Sequence, residues 1–273
     1  MSTWDGGTPA PQIRISALGW LCIAYRLPLI GLVNFGGLLL LLSLRLIERP
    51  LFGMDRPVTP WITQAVCRTT LRIMGLRLRA TGPRMKGPGA VVANHSSWLD
   101  IFVLNSRKNV YFVAKQEVSG WAGIGWLARA TGTVFIKRDR REAKAQTQVF
   151  QDRLLHGHRL LFFPEGTSTD NQRVLPFKTT LFAAFFDDAL RERLQVQAVS
   201  VSYQAPKGRE PYFYGWWGGM DFAPYLLHVL GQPCQGSVTL TYHPPVRVAD
   251  FADRKALAAT LEQQTRGGFS LAR

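Results

Sequence analysis

AVVANHSSWLDIFVL, residues 90–104, is the stretch whose reading decides the fold. Its first four residues are apolar and partly β-branched, the signature of a buried strand. Asn94-His95-Ser96-Ser97 are turn and N-cap residues, and a helix-like apolar segment follows from Trp98. His95 and Asp100 stand five positions apart across this seam. In one continuous helix they would lie roughly 140° apart around the axis, and in one strand on opposite faces. They meet only if the chain turns between them, and the sequence supplies the turn. An imidazole held by a buried carboxylate is a general base of fixed tautomer, able to take a proton from a hydroxyl or thiol. A single His-to-Asp pair at this spacing is a weak signal, and its neighbours along the chain have to strengthen it.

Upstream, residues 1–14 are polar and Gly/Pro-bearing and read as disordered. An apolar region begins at Ile15, and residues 27–44 form a run of eighteen without a charge. That is about the minimum for a bilayer span. Pro28, Asn34 and Gly36-Gly37 argue against one straight helix, so a kinked span or a pair of short helices dipping into one leaflet is expected. The soluble alternative is a buried core helix. No small-residue cleavage site marks a removable signal peptide. Residues 45–86 hold nine Arg or Lys against Glu48 and Asp55, whereas residues 1–44 hold Arg14 and Arg26 against Asp5. If the segment spans, this asymmetry places the larger C-terminal part in the cytoplasm. Residues 1–60 are therefore a disordered N-terminus and membrane-docking segment, and residues 61–273 the catalytic domain.

Downstream, strand-like and helix-like segments alternate: strands at 110–114, 132–138, 159–166, 196–203 and 237–246, helices at 121–130, 138–158, 179–193 and 252–264. With a further strand at 76–80, this argues an α/β sheet flanked by helices. The 33 Lys and Arg against 18 Asp and Glu give a formal charge of +15, suited to an anionic membrane surface, an acidic carrier protein or nucleic acid. No RNA-binding or helix-turn-helix signature accompanies the charge, so no nucleic-acid partner is expected. Cys22, Cys67 and Cys234 suggest neither a disulfide framework nor a zinc site, and the five histidines have no metal-ligand spacing. No metal is expected.

Three apolar strands end in polar elements: His95 to Asp100, Lys137-Arg138, and Phe163-Pro164-Glu165-Gly166-Thr167. Sites in open α/β sheets gather beyond strand ends, so these are candidates to converge. A base, a carboxylate, a guanidinium and a Gly-turn can handle a hydroxyl nucleophile and an anion.

At these residues the chain resembles the glycerolipid acyltransferases typified by bacterial lysophosphatidate acyltransferase. Asn94, His95 and Asp100 match the family's Asn-His-x-x-x-x-Asp motif. Gly132, Phe135, Ile136 and Arg138 match Gly-x-x-Phe-Ile-x-Arg, and Phe163 to Thr167 match Phe-Pro-Glu-Gly-Thr. Leu-Pro-Phe-Lys follows at 175–178, and Lys115 and Gly125-Trp126 fall where the family has a Lys and a Gly-Trp. The resemblance covers roughly 65–250, and three motifs in order at family spacing are a strong signal. It implies His95 as the base on an acceptor hydroxyl, Asp100 as its orienter, and direct attack on the thioester of acyl carrier protein or coenzyme A, with no enzyme nucleophile and no cofactor. It implies Arg138, Glu165, Gly166 and Thr167 at the acceptor, with Asn94, Lys115, Arg173 and Lys178 as further candidates. Glu165 also has a structural reading, bracing Arg138 or capping a helix.

Two departures bear on the acceptor. The family often has Arg after the Thr of its third motif, where this chain has Ser168-Thr169-Asp170, with Arg173 the cation that could reach back. A Pro usual in its fourth motif is absent from Ala198 to Val201. Both loosen the case for a phosphate-bearing acceptor. The run from Phe163 to Asp170 and the aromatic run at 212–222 resemble the branch that acylates lyso-ornithine lipid, although for the aromatics an interfacial belt or core packing is the favoured reading over specific recognition. The sequence reading keeps 1-acylglycerol 3-phosphate first and lyso-ornithine lipid second. Its non-enzymatic alternative is a basic membrane-binding module. The expected setting is the bacterial inner membrane, with the catalytic domain facing the cytoplasm and membrane lipids as neighbours.

Overall fold

The computed structural model describes residues 4–6, 13–87, 89–137 and 143–269. Its centre is β2 (Gly89–Ala93), buried at all five positions. Strands β5 (Arg159–Phe162) and β6 (Gln195–Gln204) flank it in parallel, which is why its sequence is a continuous apolar run and not an alternating one. Beyond β5 lie β3 (Tyr111–Lys115) and β4 (Val134–Ile136), and beyond β6 lie β7 (Ser237–Tyr242) and β1 (Arg77–Thr81), in the order β1-β7-β6-β2-β5-β3-β4. All pairings along this path are parallel except β6 with β7. The mixed α/β sheet flanked by helices is as the sequence predicts.

Alternation along β2 divides the core. Val91 and Ala93 face a layer containing Leu71 and Met74 of α2 (Thr59–Met74), Val103 of α3 (Asp100–Arg107) and Tyr225 of α7 (Phe222–Leu230). Ala90 and Val92 face Phe150 and Leu154 of α5 (Ala143–Leu155) and Leu257 and Leu261 of α8 (Arg254–Gly268).

Two elements differ from the sequence reading. Residues 179–193 form no single helix: a 3-10 turn at Leu181–Phe186 precedes the four-residue α6 (Asp188–Arg191). Phe182 and Phe185 are both fully buried, and their three-residue spacing suits a 3.0-residue turn. The strand expected over 237–246 stops at Tyr242. Pro244 and Pro245, lacking N–H donors, interrupt it before β8 (Val246–Arg247), which pairs with the opposite end of β6.

The N-terminal apolar region is one continuous helix, α1 (Ala17–Phe52), and not a pair of short helices. Its 36 residues run about 54 Å at 1.5 Å per residue. Polar side chains lie inward: Arg26 donates to the carbonyls of Leu230 and Gln232, Asn34 to the Thr70 hydroxyl, and Glu48 accepts from Val58 and Thr59. Leu21, Leu32, Leu39, Leu46 and Leu51 face outward. A core helix of a soluble protein would bury those leucines, so that alternative fails. The helix is long and apolar enough to cross a membrane.

Candidate active site

β2 ends at Ala93, the next residues turn, and α3 opens at Asp100. The Asp100 side chain reaches back over this turn. Its Oδ2 accepts from the backbone N–H groups of Ser96 (2.9 Å) and Ser97 (3.1 Å) and lies 2.7 Å from His95 Nδ1. The turn the sequence requires is thus closed by the carboxylate itself. Oδ1 accepts a 2.6 Å hydrogen bond from the Tyr203 hydroxyl of β6. Asp100 is fully buried, whereas the His95 side chain keeps 20% of its exposure. Burial, reinforced by the neighbouring Asp100, pushes the Tyr203 phenol well above its ordinary value, so it stays a neutral donor. His95 also stacks on Phe163, with centroids 4.0 Å apart and planes 12° from parallel. Two contacts therefore fix the ring: a carboxylate on one edge and an aromatic face against it.

The second wall follows β5. Glu165 is 1% exposed, and its oxygens accept from the backbone N–H groups of His95 (2.8 Å) and Leu175 (2.9 Å). Burial raises this carboxyl to about 8, with the charge of Asp100 acting in the same direction and the two N–H donors opposing. Among the readings left open for Glu165, this geometry favours a structural one: it joins the two motif loops. Gly166, at φ 70°, makes the turn, and its N–H folds back onto the Phe163 carbonyl. Thr169 donates its N–H to the His95 carbonyl (3.0 Å), and its Oγ1 lies 3.3 Å from the same oxygen. The N–H of Trp216 donates to the Ser96 carbonyl (2.8 Å).

Asn94 contributes nothing directly to the base. Its buried amide donates to Val201 O (2.8 Å) and accepts from Val201 N (2.7 Å), standing in for the backbone of a longer β2. Asn171, at φ 60°, does the same for the carbonyl and N–H of Tyr203. β6 is thereby held straight past the end of β2, and Tyr203 is aimed at Asp100.

The remaining candidates divide. Lys115 is exposed at the end of β3, and Lys178 is exposed with its backbone on Pro164. Arg138, the expected acceptor ligand, lies outside the described residues. The end of β4 that precedes it is separated from β5 by β3, on the same rim. Arg173 is paired: its Nε and Nη2 donate to Asp170 at 3.3 and 3.0 Å, and its guanidinium lies 5.1 Å from the ring centroid of Trp4. Trp4 departs from the disorder expected of residues 1–14, since its N–H meets Thr167 Oγ1 (3.4 Å) and its carbonyl accepts from Gly218 (2.9 Å). Tyr203, Asp170 and Trp4 escaped the sequence reading. Tyr203 sits in an apolar strand with no local mark of its role, and Trp4 meets partners more than 160 residues away.

The acyltransferase family profile matches residues 72–203, and the chain belongs to that family; it is an acyltransferase. It is 54% identical over 265 residues to the lyso-ornithine lipid O-acyltransferase of Rhodobacter capsulatus, covering 97% of this chain and 96% of that protein. It is also 34% identical over 137 residues, half of its length, to the 1-acyl-sn-glycerol-3-phosphate acyltransferase of Neisseria gonorrhoeae. The crystal structure of a 1-acyl-sn-glycerophosphate acyltransferase from Thermotoga maritima shares the fold, with TM-score 0.64 over 92% of this chain and 94% of that one, at 21% identity.

Proposed function

We propose that the chain transfers a fatty acyl group from a carrier-protein or coenzyme A thioester to the hydroxyl of a lysolipid, and that this lysolipid is lyso-ornithine lipid. The observation that carries the chemistry is the 2.7 Å contact between His95 Nδ1 and a buried carboxylate that three further donors hold in place. With Nδ1 donating to Asp100, the other ring nitrogen, Nε2, is the basic one. Nε2 takes the proton of the acceptor hydroxyl as its oxygen attacks the thioester carbonyl. The carbon–sulfur bond then breaks, and the thiolate leaves with the proton from Nε2. Asp100 holds the tautomer and balances the transient imidazolium. The residues used are a base and its orienter, and the reaction needs only its two substrates.

For the acceptor, the likeness to the Rhodobacter capsulatus enzyme spans nearly the whole chain and includes the loops around the site, whereas the likeness to the Neisseria enzyme covers half. The loop after Thr167 supports the same order. Its Asp170 and Arg173 charges cancel, which suits a head group bearing both an amine and a carboxylate better than a phosphomonoester. The order of the two acceptors given by sequence alone is therefore reversed. The outward leucines of α1 support a seat at the membrane, and the basic residues that follow support a catalytic part on its cytoplasmic side.

The test is acyl transfer by purified protein in detergent or vesicles, with both lysolipids assayed in parallel. The wild type should favour lyso-ornithine lipid in kcat/KM, and folded His95→Ala should lose at least about 10²-fold. Preference for lysophosphatidate refutes the acceptor, and near-normal turnover by His95→Ala refutes the base.

A further inference from the structure

Taking the acceptor to be lyso-ornithine lipid, we infer that Arg173 reads its carboxylate, and that Asp170 and Trp4 are positioning residues that aim the guanidinium. A guanidinium has two edges that can each grip a carboxylate with a pair of N–H groups. In Arg173 the Nε–Nη2 edge is taken by Asp170. The Nη1 side has no partner among the described residues, and the side chain is half exposed. The second edge is therefore open to a ligand while the first is clamped.

The clamp is built into the site. Asp170 is buried, and its Oδ1 also accepts from the N–H of Gln172 (3.0 Å). Gly215 presses on its backbone so closely that a Cβ there would come within 2.6 Å of the Asp170 carbonyl carbon. Thr169 donates its N–H to the His95 carbonyl (3.0 Å), which leaves its single hydroxyl proton for the Arg173 carbonyl, 3.4 Å from Oγ1. One threonine thus ties the arginine's backbone to the base. Trp4 comes in from the far end of the chain and lays its ring against the guanidinium.

Charge balance explains the selectivity. Asp170 and Arg173 sum to zero, and the ornithine head group adds a carboxylate and an ammonium, which also sum to zero. A phosphate dianion on the same fork would bring two negative charges toward buried Asp170 with no cation of its own.

The experiment compares lyso-ornithine lipid with its carboxyl methyl ester, using the full-length enzyme in vesicles. The ratio of kcat/KM for acid over ester within each protein cancels any loss of folded enzyme. The wild type should prefer the free acid by about 10-fold or more, the scale of a charge-assisted bidentate contact. Arg173→Ala should bring the ratio to within about 2-fold of unity, through acceptor KM and not donor KM. Arg173→Lys keeps the charge without the fork and should fall between, as should Trp4→Ala, while Trp4→Phe should retain the preference. If Arg173→Ala proves inactive toward both compounds, the lysine and Trp4 variants decide by the same ratio. A wild type that takes the ester as well as the acid, or an Arg173→Ala ratio equal to wild type, overturns the inference and leaves the acceptor standing. A wild type that ignores lyso-ornithine lipid altogether overturns both.

Discussion

Tyr203→Phe removes one oxygen and nothing else, from a place where neither partner sees water: Tyr203 is 1% exposed and Asp100 is fully buried. The lost bond is a 2.6 Å contact from a neutral phenol to a carboxylate. Hydrogen bonds to charged groups contribute about 1.5–3 kcal/mol, and a buried oxygen left without its donor forfeits that amount. At about 2–4 °C per kcal/mol for a domain of this size, the melting temperature should fall by about 3–12 °C. Catalysis should suffer separately. With Oδ1 released, the carboxylate can rotate about the two N–H groups that hold Oδ2, and His95 loses part of its orientation. A loss of about 10-fold in kcat/KM is expected, equivalent to about 1.4 kcal/mol, and smaller than for removal of the base. A double-mutant cycle with Asp100→Asn isolates the pair, since the coupling should itself be about 1.5–3 kcal/mol. The assay is thermal and denaturant unfolding in detergent beside steady-state acyl transfer. A variant within 0.5 kcal/mol of wild type, or strict additivity in the cycle, would show that the phenol does not hold the carboxylate.

Glu165 makes stability depend on pH. Its folded value of about 8 stands above its ordinary 4.5, so the stability contributed by the neutral form is complete below 4.5 and is lost as pH rises through 8. Wild type should therefore weaken between pH 5 and 8 more steeply than Glu165→Gln, and parallel unfolding profiles would contradict this. On the outer side of α1, Leu32 and Leu39 are 71% and 69% exposed, where the proposed seating would put them in lipid. An Arg at the bilayer centre costs about 2.5–3.5 kcal/mol and less near the interface, so Leu32→Arg/Leu39→Arg should cut vesicle binding by at least about 10-fold with the fold intact. Unchanged cosedimentation with vesicles would mean that this face does not meet lipid.

The strand–turn–helix around His95 was legible because its cues are local: a β-branched run, turn residues, and a spacing that forbids contact without a turn. The alternation of strands and helices could be read for the same reason. Tyr203 was not legible, because its role depends on the register of β6 against β2 and on how far β6 continues. Glu165 left two readings open, since only the placement of the His95 and Leu175 N–H groups shows where its oxygens go. The Leu181–Phe186 segment carries an apolar pattern that helix and 3-10 turn share, since residues three apart lie on one face in both, so the sequence alone does not decide between them. For α1 the sequence leaves a kinked span or a pair of short helices open, because Pro28, Asn34 and the paired glycines weaken one straight helix. Its inward contacts through Arg26, Asn34 and Glu48 keep it continuous.

The two asparagine rungs on β6 have a consequence for how the site tolerates change. β2 stops opposite Val199, while β6 runs on to Gln204, so the sheet has a step in it, and His95 stands in the notch. A strand edge beside a notch invites a neighbour to extend and fill it. Asn94 and Asn171 occupy that edge with side-chain amides, which satisfy the backbone of Val201 and Tyr203 without bringing in more chain. The open space over the histidine is thus kept open by plugging the ladder. One residue inserted between Ala93 and Asn94 would let main chain take the rung at Val201, carry His95 out of the notch, and close the site while leaving the sheet better paired.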